Sequence, residues 1–493
     1  MTTEEKQEEK KGNGKAASIP VEKLSQTQHT VVVGGQEIRY TATAGTLVLK
    51  EEDDEEGKEE SPKAAIFFVA YTRDDVADVS RRPLTFSFNG GPGSSSVWLH
   101  LGILGPRRVW ADEDGNPPPP PYRLVDNDCS LLDVTDLVFV DPVSTGYSRT
   151  MPGEKPKQFH NFNKDIELVG EFIRLYTTRY QRWSSPKFLV GESYGTTRAG
   201  GLAGFLHKRQ GMYLNGIMLV SSILNFQTAR FVPGNDLPFI LFLPTYTATA
   251  WYHNRLAEDL QQDLNATLQE VESFALGEYT LALMKGDSLL GGERERIARK
   301  LARYTGLSEA YIHQTNLRVN IHRFVKELLR DQRRTVGRLD SRFTGIDRDA
   351  AGETHEFDPS YAAIQGPYTA TLNDYLRGEL GFESDLPYEI LTDRVQPWSY
   401  EQHQNQYVNV AETLRAAMCQ NPFLKIFVAN GYYDLATPYL ATRYTFDHLE
   451  LDAELRGNIA MGYYQSGHMI YIHRPSLVQL KEDLAQFVYA AIP

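Results

Sequence analysis

Cysteine is nearly absent from this sequence of 493 residues, which contains only Cys129 and Cys419. Two cysteines exclude a fold built on a disulfide framework and leave either one bridge or two free thiols. Free thiols are the expected state, because the charged stretch MTTEEKQEEKKGNGKAAS at the N-terminus has no apolar segment typical of a secretory signal. The expected location is therefore the cytoplasm, with export followed by removal of a signal as the alternative.

Long apolar runs and basic stripes are also missing from the sequence. No segment reaches the roughly 18 apolar residues that a membrane-spanning helix needs, so no membrane partner is expected. The net charge is −13 and no basic stripe is present, which is unfavourable for binding nucleic acid. The HExxH, paired CxxC and Walker-loop patterns are absent, so no metal ion and no cofactor are expected.

Acidic residues are abundant, and many of them lie in one place. The run EEDDEEGKEE at 51–60 has eight acids and one lysine and contributes −7 to the net charge. Runs of like charge are usually solvated, which predicts a loop, and a loop that binds a partner is the alternative. Residues 1–24 have too few apolar groups to offset the entropy of ordering, which predicts a disordered tail.

Short apolar runs alternate with helical stretches over much of the chain. This alternation predicts a mostly parallel β-sheet with helices on both faces, and two β-rich runs on either side of the acidic loop predict an antiparallel hairpin. The predicted division is a first core part at 25–228, a helical insertion at 229–395 and a second core part at 396–493. The predicted core strands are LTFSF (84–88), DLVFVD (136–141), KFLVG (187–191), GIMLVSS (216–222), FLKIFVANG (423–431) and NIAMGYYQSG (458–467).

A Gly-x-Ser-x-Gly pattern lies between a predicted strand and a predicted helix in KFLVGESYGTTRAG, positions 187–200. A sharp strand-to-helix turn tolerates only small residues beside the serine, and Gly191 and Gly195 meet that demand. Ser193 is therefore the candidate nucleophile, exposed at the carboxyl edge of the sheet. A structural serine in a glycine-bearing turn is the alternative.

A serine nucleophile needs a general base, and the base needs an orienting acid. In this strand–turn–helix context the acid and then the base follow the serine along the chain. Asp434 follows the strand LKIFVANG and His468 follows IAMGYYQSG, at the strand ends where such sheets bind ligands. His448 lies in a helix-like run and His473 lies farther from its strand, so both fit less well.

A glycine-rich turn, FNGGPGSSS at 88–96, follows another predicted strand. Backbone amides can approach a developing oxyanion only where side chains do not obstruct them. The amides of Gly91 and Tyr194 are the expected oxyanion donors. A tight glycine-proline turn without a catalytic role is the alternative.

The segments FNGGPGSSS, GESYG, GYYDLATP and GHM, in this order and at these spacings, resemble the serine carboxypeptidase family. Weaker similarity covers about 80–225 and 395–493. The resemblance implies an α/β-hydrolase fold with an inserted helical cap, in a member of bacterial type without disulfides. A peptide is the implied partner, and a homodimer is left open. The implied site consists of the nucleophile Ser193, the acid Asp434, the base His468, and the oxyanion amides of Gly91 and Tyr194.

The resemblance also implies that Asn89 and Glu192 together hold the terminal carboxylate of the substrate. One carboxyl group binds another only when they share a proton, because two bare carboxylates repel each other. We therefore expect peptide hydrolysis to be favoured at acid pH, where Glu192 is neutral.

Three positions depart from the family pattern. Ser94 stands where well-known eukaryotic members have a cysteine. Ser87 and Ile103 stand where well-known members have a tryptophan and a glutamate of the carboxylate-binding network. An acyltransferase or esterase that uses the same triad is therefore an alternative function, and a non-catalytic peptide-binding or stabilising partner is a second. In the insertion, the aromatic stretch PTYTATAWYH at 244–253 is expected to shape the pocket for the residue before the scissile bond.

Overall fold

The computed structural model describes residues 22–51 and 61–492. Most of the predicted tail and residues 52–60 of the acidic run lie outside the described residues. The strands are β1 (Leu24–Val33), β2 (Gln36–Glu51), β3 (Ser61–Arg73), β4 (Leu84–Phe88), β5 (Arg107–Val109), β6 (Leu124–Asp126), β7 (Asp136–Val140), β8 (Arg149–Thr150), β9 (Lys187–Ser193), β10 (Gly216–Ser222), β11 (Thr335–Val336), β12 (Thr344–Gly345), β13 (Lys425–Gly431) and β14 (Ile459–Tyr464). The α-helices are α1 (Val97–Leu99), α2 (Phe162–Arg179), α3 (Tyr194–Gln210), α4 (Leu237–Tyr252), α5 (Glu258–Gln261), α6 (Leu264–Phe274), α7 (Thr280–Lys285), α8 (Gly291–Thr305), α9 (Glu309–Gln314), α10 (Ile321–Glu327), α11 (Pro359–Gly378), α12 (Ala411–Gln420), α13 (Tyr439–Asp447), α14 (Ala453–Arg456) and α15 (Arg474–Ala490).

The main sheet has the strand order β1-β2-β3-β7-β4-β9-β10-β13-β14. The short strand β8 pairs with Ala64 and Ala65 of β3, ahead of the residues of β3 that pair with β7. All pairs from β7 to β14 along this order are parallel, whereas β1, β2 and β3 pair antiparallel at one edge. The β2–β3 pair is the predicted hairpin, and the bounds of every predicted core strand lie within three residues of those of an observed strand. The strand β1 was not predicted, because most of its first seven residues, LSQTQHT, are polar, and only Val31 and Val33 are buried.

Both faces of the parallel strands are covered, as their continuous apolar character predicts. In β10, Met218 and Val220 join the apolar cluster that includes α15, whereas Ile217 and Leu219 join the cluster of α2, α3 and α12. Because side chains alternate across a strand, this division places one helical layer on each side of the sheet.

The stretch between β10 and β13 contains the helices α4–α11. Helices α4, α6, α8 and α10 pack in a third apolar cluster, which includes Phe324, Val325, Leu328 and Leu329 as their helical spacing predicts. The same cluster contains Tyr439 and Leu440 of α13, in the second core part. Helix α11 differs, since its Leu372 and Tyr375 pack in the cluster on the sheet. The insertion is thus attached to the core at two places, through α11 on the sheet and through the packing of α4 against α13.

Cys129 is buried and Cys419 is exposed, and both are free thiols, as expected. Within residues 22–51 and 61–492, no helix combines the length and apolar character needed to cross a bilayer. The same residues contain no cluster of three or more histidine, cysteine or acidic side chains able to hold a metal ion.

Candidate active site

Ser193 lies at the turn between β9 and α3, as the sequence predicts. Its backbone has φ +59° and ψ −129°, a region that non-glycine residues rarely adopt. An ideal Cβ on Gly191 would lie 2.2 Å from the carbonyl oxygen of Gly195, and one on Gly195 would lie 2.7 Å from that of Phe88. The two glycines are therefore required by close packing, and the serine is half-buried at the carboxyl edge of the sheet.

Asp434 and His468, predicted from separate strand ends, form a hydrogen-bonded pair. His468 Nδ1 lies 2.8 Å from Asp434 Oδ2, and the two residues are 5% and 0% exposed. The amides of Ala436 and Thr437 and the Thr437 hydroxyl also donate to the Asp434 carboxylate. This set of donors fixes the orientation of the carboxylate.

The backbone of His468 is held from both sides. Its amide donates to the carbonyl oxygen of Leu339 at 2.7 Å, and its carbonyl oxygen accepts from Ser221 Oγ at 2.6 Å. Burial lowers the pKa of His468, but the Asp434 carboxylate, through charge and hydrogen bond, and Glu192 together raise it above its ordinary value. The imidazole is thus stabilised when it carries a proton, which is the property required of a general base.

The glycine-rich turn packs directly against the start of α3. An ideal Cβ on Gly90 would lie only 2.4 Å from the amide nitrogen of Tyr194, so no side chain fits at that position. Gly91 has φ +100°, and Tyr194 is the first residue of α3, where the helix supplies no acceptor for the amide. The two amides predicted as oxyanion donors therefore belong to adjoining segments beside Ser193.

Asn89 and Glu192 are also brought together. Asn89 Nδ2 donates to Glu192 Oε1 at 2.9 Å, while Asn89 Oδ1 accepts from the Leu99 amide at 3.1 Å. Both side chains are almost fully buried, but Glu192 lines the cavity above Ser193, whereas Asn89 is absent from the described residues that line it. Asn89 thus orients Glu192 from below.

Tyr471 is a partner of Glu192 that sequence reasoning missed. Its hydroxyl donates to Glu192 Oε2 at 2.6 Å, and its ring fills the space where an ideal Cβ on Gly102 would lie, 2.2 Å from a ring carbon. Burial raises the pKa of Glu192 to about 7, against the lowering effects of His468, Tyr471 and Asn89. Glu192 is therefore a carboxyl group that stays protonated through the acid range.

The cavity above Ser193 has a volume of about 490 Å³. Ser193, Glu192, His468 and Gly91 all line it, and residues of the insertion form much of the opposite wall. Such a volume accommodates two amino-acid residues or a ligand of similar size.

The aromatic stretch at 244–253 does not shape this cavity, contrary to the prediction. It forms the second half of α4, and its Tyr246 is 2% exposed and stacks on Phe324 inside the insertion. None of the described residues that line the cavity comes from α4. The uniform apolar character of α4 reflects burial among neighbouring helices.

Of the three departures from the family pattern, Ser94 is buried but lines the cavity, whereas the other two lie beneath the site. Ser87 and Ile103 are each 0% exposed, and the Ser87 hydroxyl has no hydrogen-bond partner within the described part of the chain. Neither residue is among the described residues lining the cavity.

Comparison with known proteins bears on this arrangement. The model of the serine carboxypeptidase family matches residues 56–470. The chain belongs to the serine carboxypeptidase family. The pheromone-processing carboxypeptidase KEX1 of Saccharomyces cerevisiae is 33% identical over 158 residues, which are 31% of this chain and 20% of KEX1. Serine carboxypeptidase-like 33 of Arabidopsis thaliana is 30% identical over 163 residues, 32% of this chain and 30% of that relative.

The matched segments thus span less than a third of either relative. A crystal structure of KEX1 from Saccharomyces cerevisiae, described as a prohormone-processing carboxypeptidase, aligns over 91% of both chains, with a TM-score of 0.54 and 17% sequence identity. This likeness confirms the predicted α/β-hydrolase fold.

Proposed function

We propose that this protein is a serine carboxypeptidase that releases the C-terminal residue of a peptide through an acyl-enzyme. The observation that carries the proposal is the position of Glu192, a buried carboxyl group with a raised pKa next to Ser193 in the same cavity. A protonated carboxyl group can donate a hydrogen bond to the terminal carboxylate of a peptide. An internal peptide bond has no such carboxylate beside it.

In the first step, Ser193 Oγ attacks the carbonyl carbon of the last peptide bond and gives its proton to His468. The Asp434 carboxylate stabilises the imidazolium that forms. The amides of Gly91 and Tyr194 donate to the negative oxygen of the tetrahedral intermediate, each contributing on the order of 100-fold to 1000-fold in rate. His468 then protonates the leaving amine, and the C–N bond breaks.

In the second step, a water molecule attacks the acyl-enzyme. His468 takes a proton from the water and later returns it to Ser193 Oγ, so that the serine is regenerated and the shortened peptide leaves with a new carboxylate. The proton balance is closed, and the chain's own side chains supply every acid and base in the cycle.

Activity requires Glu192 protonated and His468 neutral, so the two groups impose opposite demands on pH. Glu192 has a pKa of about 7, and that of His468 is raised above 6.5. Hydrolysis of peptides is expected on the acid side of about pH 7 and declines at lower pH as His468 becomes protonated. Because the two groups interact, the profile reports the pair.

The test compares an N-blocked dipeptide that has a free carboxylate with its C-terminal amide and its ester. The wild type is expected to cleave the free acid best, and Ser193→Ala is expected to lose on the order of a million-fold in kcat. Ser273→Ala, at an exposed position of α6, is the matched control. Equal cleavage of acid and amide would refute the exopeptidase assignment.

A second candidate is acyl transfer to an alcohol or amine, or ester hydrolysis. It is supported by the buried Ser87 and Ile103, which supply no carboxylate-binding group. In that case only the ester turns over, and an added alcohol or amine acceptor increases the amount of acyl product formed.

A further inference from the structure

Arg338 is a cationic side chain on the wall of the active-site cavity without an acidic partner. Within the described residues, no carboxylate oxygen lies within 4.0 Å of its guanidinium, and it lines the cavity together with Ser193 and His468. By contrast, Arg342, four residues farther along the chain, forms a bidentate ion pair with Asp340. A free guanidinium in a cavity is a site for a carboxylate, which it binds through a planar fork of donors.

The backbone of Arg338 is held by hydrogen bonds close to the proposed triad. Its amide donates to Asp358 Oδ1 at 3.1 Å, and its carbonyl oxygen accepts from the Leu435 amide at 3.1 Å. The carbonyl oxygen of the next residue, Leu339, accepts a hydrogen bond from the His468 amide. Arg338 therefore projects from a rigid segment directly beside the reacting groups, as a specificity residue requires.

Two histidines lie on the same wall of the cavity. His322 and His355 also line the cavity, with ring centroids 6.3 Å apart, and His355 Nδ1 is buried without a hydrogen-bond partner among residues 22–51 and 61–492. Burial, His355 and Arg338 together lower the pKa of His322, which shows that these groups share one field. Each imidazole can donate one N–H to an anion even when neutral.

Among the described residues, the acidic groups of the cavity form no ion pair with Arg338. The Asp358 carboxylate accepts from the amides of Arg338, Leu339 and Ser360 and from the Ser360 hydroxyl, and it caps α11. Asp393 is exposed at the rim, and Glu192 lies beside Ser193, where it is neutral below about pH 7. A second anionic group of the substrate thus faces unpaired donors on the Arg338 side.

We propose that Arg338, assisted by His322 and His355, binds an acidic side chain of the substrate next to the scissile bond. This inference rests on the proposed function, in which Glu192 already binds the terminal carboxylate. The acidic side chain belongs either to the released residue or to the residue before it, since one guanidinium of this reach serves one of the two positions.

The experiment uses two pairs of N-blocked dipeptides, Glu-Leu with Gln-Leu and Leu-Glu with Leu-Gln, at a pH above about 5.5, where a glutamate side chain is ionised. In the wild type, kcat/KM is expected to favour the glutamate member of one pair by on the order of 10- to 100-fold. The pair that shows the preference identifies the position. Because glutamate and glutamine have nearly the same shape and differ in charge, and the same His468 acts on both, the ratio cancels any effect of Arg338 on His468.

Arg338→Gln is expected to bring that ratio close to one, and Arg338→Lys to retain part of it. Arg348→Gln, the same substitution at an exposed arginine outside the cavity, is expected to leave the ratio unchanged. A wild type without glutamate preference in either pair would overturn the inference, as would an equal loss for both members in Arg338→Gln, which would assign the guanidinium to the terminal carboxylate.

Failure of the proposed function gives a different result. If no dipeptide acid is hydrolysed, the same ratio is measured on the ethyl esters of N-blocked Glu and Gln. A glutamate preference that depends on Arg338 then supports the anion site without the exopeptidase, and equal rates overturn both.

Discussion

The Tyr471 hydroxyl donates to Glu192 Oε2 across 2.6 Å, and this contact joins the C-terminal part of the chain to the residue before the nucleophile. Asn89 holds the other oxygen of the same carboxyl group. Glu192 is therefore fixed by two donors inside an apolar setting. This combination fixes its orientation while burial keeps its pKa high.

Tyr471→Phe tests that contact while keeping the ring that packs on Gly102. Loss of the donor removes an interaction that lowers the pKa of Glu192, so this pKa rises further. The alkaline limb of kcat/KM for peptides is expected to move to higher pH, with a loss of roughly 10-fold at the optimum. Tyr489→Phe, at a 64% exposed position of α15, is the matched control. An unshifted limb would show that the hydroxyl does not act on Glu192.

Glu192→Gln removes the titration itself. The wild type is expected to lose peptide hydrolysis as pH rises through about 7, because Glu192 ionises. The amide of the variant stays neutral, so its alkaline limb should disappear for peptides. Ester hydrolysis should lack that limb in both proteins, and its acid limb should move to lower pH in the variant, because Glu192 raises the pKa of His468. The measurement is kcat/KM against pH for a matched peptide and ester. Identical profiles in wild type and variant would exclude Glu192 as the titrating group.

The Glu192→Gln substitution is also expected to stabilise the folded protein at high pH. A carboxyl group whose pKa is higher in the folded than in the unfolded chain lowers stability as pH rises between the two values, here from 4.5 to about 7. Above that range the penalty is about 3 kcal/mol. Glu192→Gln should therefore raise the free energy of unfolding above pH 7 and leave it nearly unchanged at low pH, as measured by denaturant titration. A pH-independent difference would argue against a buried, ionising Glu192.

Gly90→Ala tests the oxyanion segment. A methyl group at this position would press on the Tyr194 amide, so the glycine-rich turn must shift away from α3. We expect a loss of on the order of 100-fold or more in kcat. Labelling of Ser193 by a fluorophosphonate, which forms a similar oxyanion, should slow in parallel. Gly277→Ala is the control, since no atom lies within 4 Å of its ideal Cβ; unchanged labelling of the Gly90 variant would rule out this role.

Asp165→Ala tests the support beneath the same turn. Arg198 donates to Asp165 Oδ2 at 2.9 Å and to the carbonyl oxygen of Asn89 at 2.6 Å, and both ionic side chains are at most 2% exposed. Removing the carboxylate leaves a buried, unpaired guanidinium, which costs about 3–5 kcal/mol in the free energy of unfolding. Glu293→Ala, which breaks the exposed pair with Lys285, should cost roughly 1 kcal/mol or less. Comparable losses in the two variants would contradict the supporting role.

Most of the core strands and the order of the candidate triad could be predicted from the sequence, because both depend on residues that are neighbours along the chain. Buried parallel strands are continuous apolar runs, and Asp434 and His468 each follow one of them. The close approach at Gly191 and Gly195 depends on the absence of a side chain, which is visible in the sequence itself. These features need no knowledge of how distant segments meet.

Tyr471 and Arg338 were not predicted, because their roles arise only from tertiary contacts. Tyr471 lies in a single turn after His468 and has no distinguishing pattern, yet its ring reaches Gly102 and Glu192. Arg338 is one of many arginines in the insertion, and its lack of an acidic partner is a property of the folded chain. The prediction that the stretch at 244–253 shapes the pocket was wrong for the same reason, since aromatic residues are as typical of a buried helix as of a pocket wall.

The central claim, removal of residues from the carboxyl end, is tested most directly by mass spectrometry. A short peptide with a free C-terminus and its C-terminal amide are incubated with the protein in isotopically labelled water at mildly acid pH. The account predicts products of the free acid shortened one residue at a time from the C-terminus, each with one labelled oxygen in its new carboxylate, while the amide stays intact. Internal cleavage, or equal shortening of the amide, would contradict it.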